Sequence, residues 1–150
     1  MKITGETIKN SMVAKLISIL PSDVEIYKEE TINITFPHVF LYQLSVRTVE
    51  DRRDHYFQTY TMNLRYRQVA DVETEPKIEQ KLDAISNILI TDFTDIVIGD
   101  KPYKLLERSC EKVDKVLHFT CQVRVQVARE LKEETKMKTL AQDTYVKGDN

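Results

Sequence analysis

The sequence predicts an α+β domain: an antiparallel or mixed β-sheet of about five to six strands, two helices packed on one of its faces, and a charged C-terminal arm. Three observations carry this prediction. From Val116 to Val127, Leu117, Phe119, Cys121, Val123, Val125 and Val127 fall on one parity, and His118, Thr120, Gln122, Arg124 and Gln126 on the other. Such alternation is the period of a β-strand with one buried and one wet face. A one-residue slip would expose every apolar side chain, so the register is firmly set, and a strand close to 40 Å long at about 3.3 Å per residue needs neighbours and a cover. Two other segments carry apolar residues at helical spacing, and the remaining apolar runs are strand-like and joined by short connections that favour antiparallel pairing.

The first helix spans Glu6 to Leu20, with Ile8, Met12, Val13, Leu16, Ile19 and Leu20 forming one stripe. Thr4 is positioned as N-cap, Glu6 lies in the first turn where the helix dipole favours an acid, and Pro21 stops the helix. Val24–Lys28 reads as a short strand near an edge, its charged residues suiting a rim. After Thr35-Phe36-Pro37 comes a strand from His38 to Thr48. Its apolar residues occupy both parities, Phe40, Tyr42, Leu44 and Val46 against Val39 and Leu41, which points to cover on both faces of its early part. The polar connector Val49–His55 leads into a strand from Tyr56 to Arg67, with Tyr56, Tyr60, Met62, Leu64 and Tyr66 on one parity and Thr59, Thr61, Asn63, Arg65 and Arg67 on the other. These two strands form a long hairpin with a projecting charged tip.

Thr74-Glu75-Pro76 has the chemistry of a helix start, and Ile78, Leu82, Ile85 and Leu89 follow as a narrow stripe suited to lying on a sheet. Asp95–Ile98 is a short strand closed by a tight turn at Gly99–Pro102, followed by a strand from Tyr103 to Glu111. The pairing of that strand with the one after it stays open. Odd parity would bury Tyr103 and Leu105, even parity Leu106 and Cys110, and a two-residue Asp114-Lys115 turn would set Cys110 opposite Phe119 rather than Cys121. From Ala128 the chain turns densely and alternately charged, with only Leu131, Met137, Leu140, Ala141 and Tyr145 apolar. Residues 1–128 therefore form the domain, and 129–150 an arm, helical or ordered by a partner.

Charge and composition narrow the function. The net charge of −2 at 31% charged residues is that of an ordinary globule, without the basic field of a nucleic-acid or membrane-surface binder. No apolar run approaches the roughly 18–20 residues of a membrane span, and the N-terminus lacks a signal-peptide layout, which points to the cytoplasm. Catalytic and cofactor chemistry has no footing. The three glycines are too scattered for a phosphate loop, and the three histidines and two cysteines lack metal-ligand spacing. His118 and Cys121 differ in parity and point to opposite faces of their strand, so they cannot form a nucleophilic pair. Asp92 and Asp95 read as solvated loop residues, and the cysteines as buried free thiols.

What remains is surface. Arg47, Arg65, Arg67, Arg124 and Arg129 lie on polar parities of long strands beside threonine, glutamine and asparagine. Such faces are either simply hydrated or are polar protein–protein interfaces, where arginine is enriched. The candidate contacts are the tip (Asp51, Arg52, Arg53, Asp54), the wet faces (Arg65, Arg67, Gln122, Arg124) and the arm (Arg129, Leu131, Met137, Leu140, Tyr145).

The arrangement of an N-terminal helix, Val24-Glu-Ile-Tyr27, Phe36-Pro-His-Val-Phe-Leu-Tyr-Gln-Leu44, Tyr60-x-Met-x-Leu-x-Tyr66, Gly99-Asp100 and Val113-Asp-Lys-Val-Leu-His-Phe-Thr120 resembles the phage tail terminator (tail-completion) proteins of Gram-positive prophages and tail-like particles. The resemblance covers roughly residues 5–128 and leaves the arm outside it. It implies a non-catalytic virion protein, made in the bacterial cytoplasm, that forms a ring, commonly a hexamer, on the head-proximal end of the tail tube. Its implied partners are its own copies, the tube protein, the neck or connector protein and, in a contractile tail, the sheath. DNA would pass through the ring without being read, and no membrane, metal or cofactor is involved. Rival readings are a neck or head-completion protein of the same particle and a small soluble binding domain.

Overall fold

The computed structural model describes residues 2–29, 33–50, 55–68 and 75–128. In it the chain runs α1 (Gly5–Ile19), β1 (Glu25–Tyr27), β2 (His38–Glu50), β3 (His55–Arg67), α2 (Glu75–Asp92), β4 (Asp95–Ile98), β5 (Lys101–Lys104), β6 (Leu106–Val113) and β7 (Val116–Ala128). Five strands form one mixed sheet in the order β1-β2-β3-β7-β6, and β4 and β5 form a separate hairpin. The α+β prediction with two helices on one face therefore holds.

The alternating strand sits between β3 and β6 and meets β3 residue for residue, from His55 against Ala128 to Arg67 against Val116, without a register shift. Leu117, Phe119, Cys121, Val123 and Val125 point inward with Tyr60, Met62, Leu64 and Tyr66 of β3. The helices cover this inner face through Ile8, Met12 and Leu16 of α1 and Ile78, Leu82, Ile85 and Leu89 of α2, joined by Ile96 and Ile98 of the small hairpin. Phe119, fully buried, meets the ring of Phe93 at 5.4 Å.

Caps and ties set the helix ends. Thr4 accepts a hydrogen bond from the Thr7 backbone N–H while the Thr7 side chain returns the contact to the Thr4 backbone, closing α1 at the residue the sequence indicated. The last turn of α2 has no basic residue of its own. Instead the Arg108 guanidinium donates from β6 to the carbonyls of Ile90 at 2.8 Å and Phe93 at 3.4 Å, satisfying acceptors that a helix C-terminus leaves open. Lys112 bridges Glu79 and Asp83 of α2 at 2.8 and 2.7 Å, which raises its pKa, largely through the hydrogen bond to Asp83.

Several expectations need correction. β1 pairs in parallel with β2, Glu25 against His38, rather than antiparallel. The ten residues between β1 and β2, among them a cis Phe36–Pro37 bond, are enough to carry the chain back beside a three-residue strand. The two parities of β2 do not mean cover on both faces. The register shifts between Gln43 and Ser45, so Val39 and Leu41 face inward before the bulge and Val46, opposite Tyr60, faces inward after it. The expected strand from Tyr103 to Glu111 is two strands in different sheets. Leu105, buried at the junction, donates its N–H to Thr94, and Glu107, at φ 50°, takes the extra residue of a second bulge. Both parity alternatives are thus partly realised, with Leu105 in the core and Cys110 half-buried beyond it.

The first tight turn is shorter than the expected Gly99–Pro102, since Lys101 and Pro102 belong to β5, and the open register at Asp114-Lys115 resolves as a two-residue turn. Gly99 at φ 69° lets Ile98 pair with Lys101, and Asp114 and Lys115, at φ 50° and 64°, let Val113 pair with Val116. Cys110 therefore stands opposite Phe119, and both cysteines are free thiols. Burial pushes the Cys121 thiol up to about 12 and also raises that of Cys110, which is only half-buried.

Two predictions follow from the core. Phe119→Ala should destabilise the fold by about 3–5 kcal/mol, measured by urea unfolding, because the neighbouring rings and strands cannot collapse into the space. An unfolded thiol ionises near pH 8.5 whereas folded Cys121 keeps its proton to about 12, so its share of stability is complete below about pH 8.5 and declines as pH rises above it. Between pH 8 and pH 10 the wild type should lose about 1–2 kcal/mol more than Cys121→Ala in parallel urea titrations.

Candidate interface surfaces

Register on the inner face dictates the composition of the outer one. Because paired residues project on the same side, Phe40, Arg65, His118 and Glu111 form one row across the sheet, Tyr42, Asn63, Thr120 and Ser109 the next, and Arg47, Thr59 and Arg124 a third. The outward positions of β3 and β7, and of β2 on each side of its bulge, hold Arg47, Arg65, Arg67, Arg124 and all three histidines. Among the described residues they carry no carboxylate; Glu111 enters only from β6 at the margin.

The arginines lie over aromatic rings. The Arg65 guanidinium sits 5.4 Å from the Phe40 ring and 5.1 Å from Tyr42, themselves stacked at 5.4 Å. Arg67 lies 5.9 Å from Phe36, and Arg124 only 4.2 Å from Phe57. Each such contact contributes about 0.5–1 kcal/mol at an exposed site. The long side chains pave the strands beneath them, so Thr59 and Asn63 are buried although they face outward. Asn63 donates to Thr120 Oγ1 at 3.0 Å, while its Oδ1 has no hydrogen-bond partner among the described residues.

Toward β1 the paved face opens into a cleft of about 300 Å³. Arg65, Arg67 and His118 line it from the sheet, Tyr27, Ile34 and Phe36 from β1 and the segment after it, and among the described residues Glu29 is its one lining carboxylate. His38 forms part of the wall, is 5% exposed, and packs edge-on to Phe36 at 4.8 Å and Tyr27 at 5.7 Å. Burial, then the charge of Arg67, lowers the His38 pKa against a hydrogen bond to the Thr35 backbone that raises it. Its Nδ1 has no hydrogen-bond partner among the described residues.

The sheet also leaves backbone unpaired. β1 reaches only as far as Phe40, so among the described residues no strand lies along the outer edge of β2 from Leu41 onward. β6 ends opposite Gln122, and among the described residues no strand pairs with the corresponding edge of β7 from Val123. Distal β2, β3 and β7 thus form a three-stranded blade with two open sides. The β2 side carries apolar residues, Leu44, Val46 and Val49 being 53, 46 and 38% exposed.

Of the contacts named from sequence, Arg65, Arg67, Gln122 and Arg124 share this outer face, with Arg65 and Arg67 in the cleft and Gln122 and Arg124 on the blade. The tip residues Asp51, Arg52, Arg53 and Asp54 and the arm residues Arg129, Leu131, Met137, Leu140 and Tyr145 lie outside the described residues. Sequence reasoning missed the aromatic partners of the arginines and the cleft. The sequence pattern set the β3 tyrosines on the parity opposite Arg65 and Arg67, and Tyr60 and Tyr66 are buried, whereas the rings that meet the arginines come from β2, the segment before it and Phe57. Among the described residues no group of three metal-ligating side chains converges, and no helix is long and apolar enough to cross a membrane.

Comparison with known proteins gives a family. The family model described as phage tail terminator protein matches residues 7–136, which runs past the end of β7 into the segment the sequence resemblance left out. No curated protein matches the chain. One solved structure is similar over 88% of this chain and 100% of its own, at 9% identity and a TM-score of 0.40, a likeness too weak to bear on fold or function.

Proposed function

Because the chain belongs to the phage tail terminator family, a structural component of the phage tail, we propose that it forms a hexameric ring on the head-proximal end of the tail tube. The ring ends tube polymerisation and presents its other surface to the neck or connector. The role needs binding surfaces and no catalysis, and DNA passes through the ring without base recognition. The observation that carries this reading is the pair of open edges on one blade, β2 beyond Phe40 and β7 beyond Gln122. A bare strand edge is a template for another strand, and proteins that remain alone blunt such edges with lysine, proline or short strands. Here one edge exposes Leu44, Val46 and Val49 instead. Joining β2 of one copy to β7 of the next uses different patches on the two partners, and such a head-to-tail contact closes into a ring when successive copies are related by rotation.

The remaining candidates fit this arrangement as contacts to other components. The tip at Asp51–Asp54 and the arm residues Arg129, Leu131, Met137, Leu140 and Tyr145 are proposed to meet the tube below and the neck or, in a contractile tail, the sheath beside it. The polar outer face with Gln122 and Arg124 completes the set.

Val46→Lys combined with Val49→Lys tests the edge. Both residues are already partly exposed, so thermal unfolding of the isolated chain should shift by no more than about 4 °C. Particles carrying only the variant should show, in electron micrographs, tails without a terminal ring and with uncontrolled length. Normal, capped tails of uniform length would exclude this edge as the subunit contact.

A further inference from the structure

We propose that the cleft between the β1 loop and the outer sheet face is a binding site for an acidic peptide segment, a glutamate or aspartate side chain next to an apolar one, presented by a partner protein. Charge is the first argument. Arg65 and Arg67 converge on the cleft beside His118, and among the described residues Glu29 is its single carboxylate and neither guanidinium has an ion pair. Each guanidinium spends its flat face on a ring, Arg65 on Phe40 and Tyr42 and Arg67 on Phe36. Stacking leaves the in-plane N–H donors free, and that fork matches a carboxylate.

The lining beside the arginines is the second argument. His38, 5% exposed and packed edge-on against Phe36 and Tyr27, forms part of the cleft wall. An ammonium group would be repelled by both guanidinium groups. The apolar part of the lining, Ile34, Phe36 and Val116, fits a side chain flanking the acid and has no counterpart in a phosphodiester backbone. Glu29 at the same site further disfavours a polyanion. The cleft adjoins the start of the open β2 edge at Phe40, but it is tested by peptide binding to the chain alone, so the site and the ring contact stand or fall separately. Only the identity of the partner as a tail component rests on the proposed function.

The test uses the full chain and two blocked peptides, acetyl-Gly-Phe-Glu-Gly-amide and its Gln counterpart, with inorganic phosphate and a short DNA duplex as further probes. Histidine ring signals are followed by NMR. The Glu peptide should shift His38 and His118 and leave His55 in place, with affinity at least about tenfold above that of the Gln peptide. Arg67→Gln should weaken binding at least about fivefold and Arg67→Lys less, since lysine keeps the charge but loses the fork. Arg65→Gln provides the same reading if Arg67→Gln does not fold, and Arg47→Gln, outside the cleft, should bind as the wild type does. Equal binding of the two peptides, no shift at about 10 mM peptide, or phosphate or duplex binding at the same rings as tightly as the Glu peptide would each overturn the assignment.

Discussion

The register between β3 and β7 governs both faces of this molecule. On the inner side it stacks Leu64 on Phe119, Met62 on Cys121 and Tyr60 on Val123, and each large side chain buried there contributes about 1.5–3 kcal/mol. On the outer side the same pairing sets Arg65 beside His118 and Asn63 beside Thr120. The contacts among the outer residues are individually weak, about 0.5–1 kcal/mol for an arginine over a ring. They could not set a register themselves. The core does so, and the arginine–aromatic surface inherits a rigid layout from apolar packing on the other side of the same strands.

Net charge conceals this surface. The chain totals −2, yet its long-strand outer face holds four arginines and no carboxylate among the described residues, because the acids are drawn elsewhere. Glu79 and Asp83 meet Lys112 on the edge of the inner layer, Glu6 meets Lys28 at 3.0 Å, and Asp95 meets Lys15 at 3.3 Å. A near-neutral total rules out a long-range field at physiological salt, where exposed charges are screened beyond about 8 Å. It does not rule out a local one, and recognition of a single carboxylate needs only the local kind.

The legible parts of the fold were those in which one residue type has one physical use. Strict alternation gave β7, Thr4 and Pro21 bracketed α1, and Gly99 marked the place of a turn, though not its two-residue length. The bulges were not legible. At Leu44 an inserted residue exchanges inward and outward parity, and at Glu107 a positive φ appears at a residue whose side chain does not advertise it. Both changes are made by backbone geometry, which alternation patterns assume to be uniform. The arginines of the site were visible from parity, but their partners Phe40 and Tyr42 lay on the strand whose parity the bulge scrambles. The cleft was hidden for a related reason, since it forms only when a parallel β1 and its loop come alongside His38.

The heights of the open edges bear on how copies can join. Through β3, Ser45 of β2 lies level with Gln122 of β7, both paired with Thr61, and Val49 lies level with Gln126, both paired with Phe57. β2 and β7 also run in the same direction, each being antiparallel to β3. A neighbour placed side by side can therefore set its β2 against β7 in parallel without sliding along the strands. A joint that demanded an offset would add a rise at each copy and generate a helix, whereas one without offset is compatible with a closed, flat ring. The opposite margin is treated differently: β6 is bulged at Glu107 and lined with Arg108, Glu111 and Lys112, features that discourage a strand from adding there. The contrast between a charged, irregular edge and a bare apolar one favours a single mode of addition.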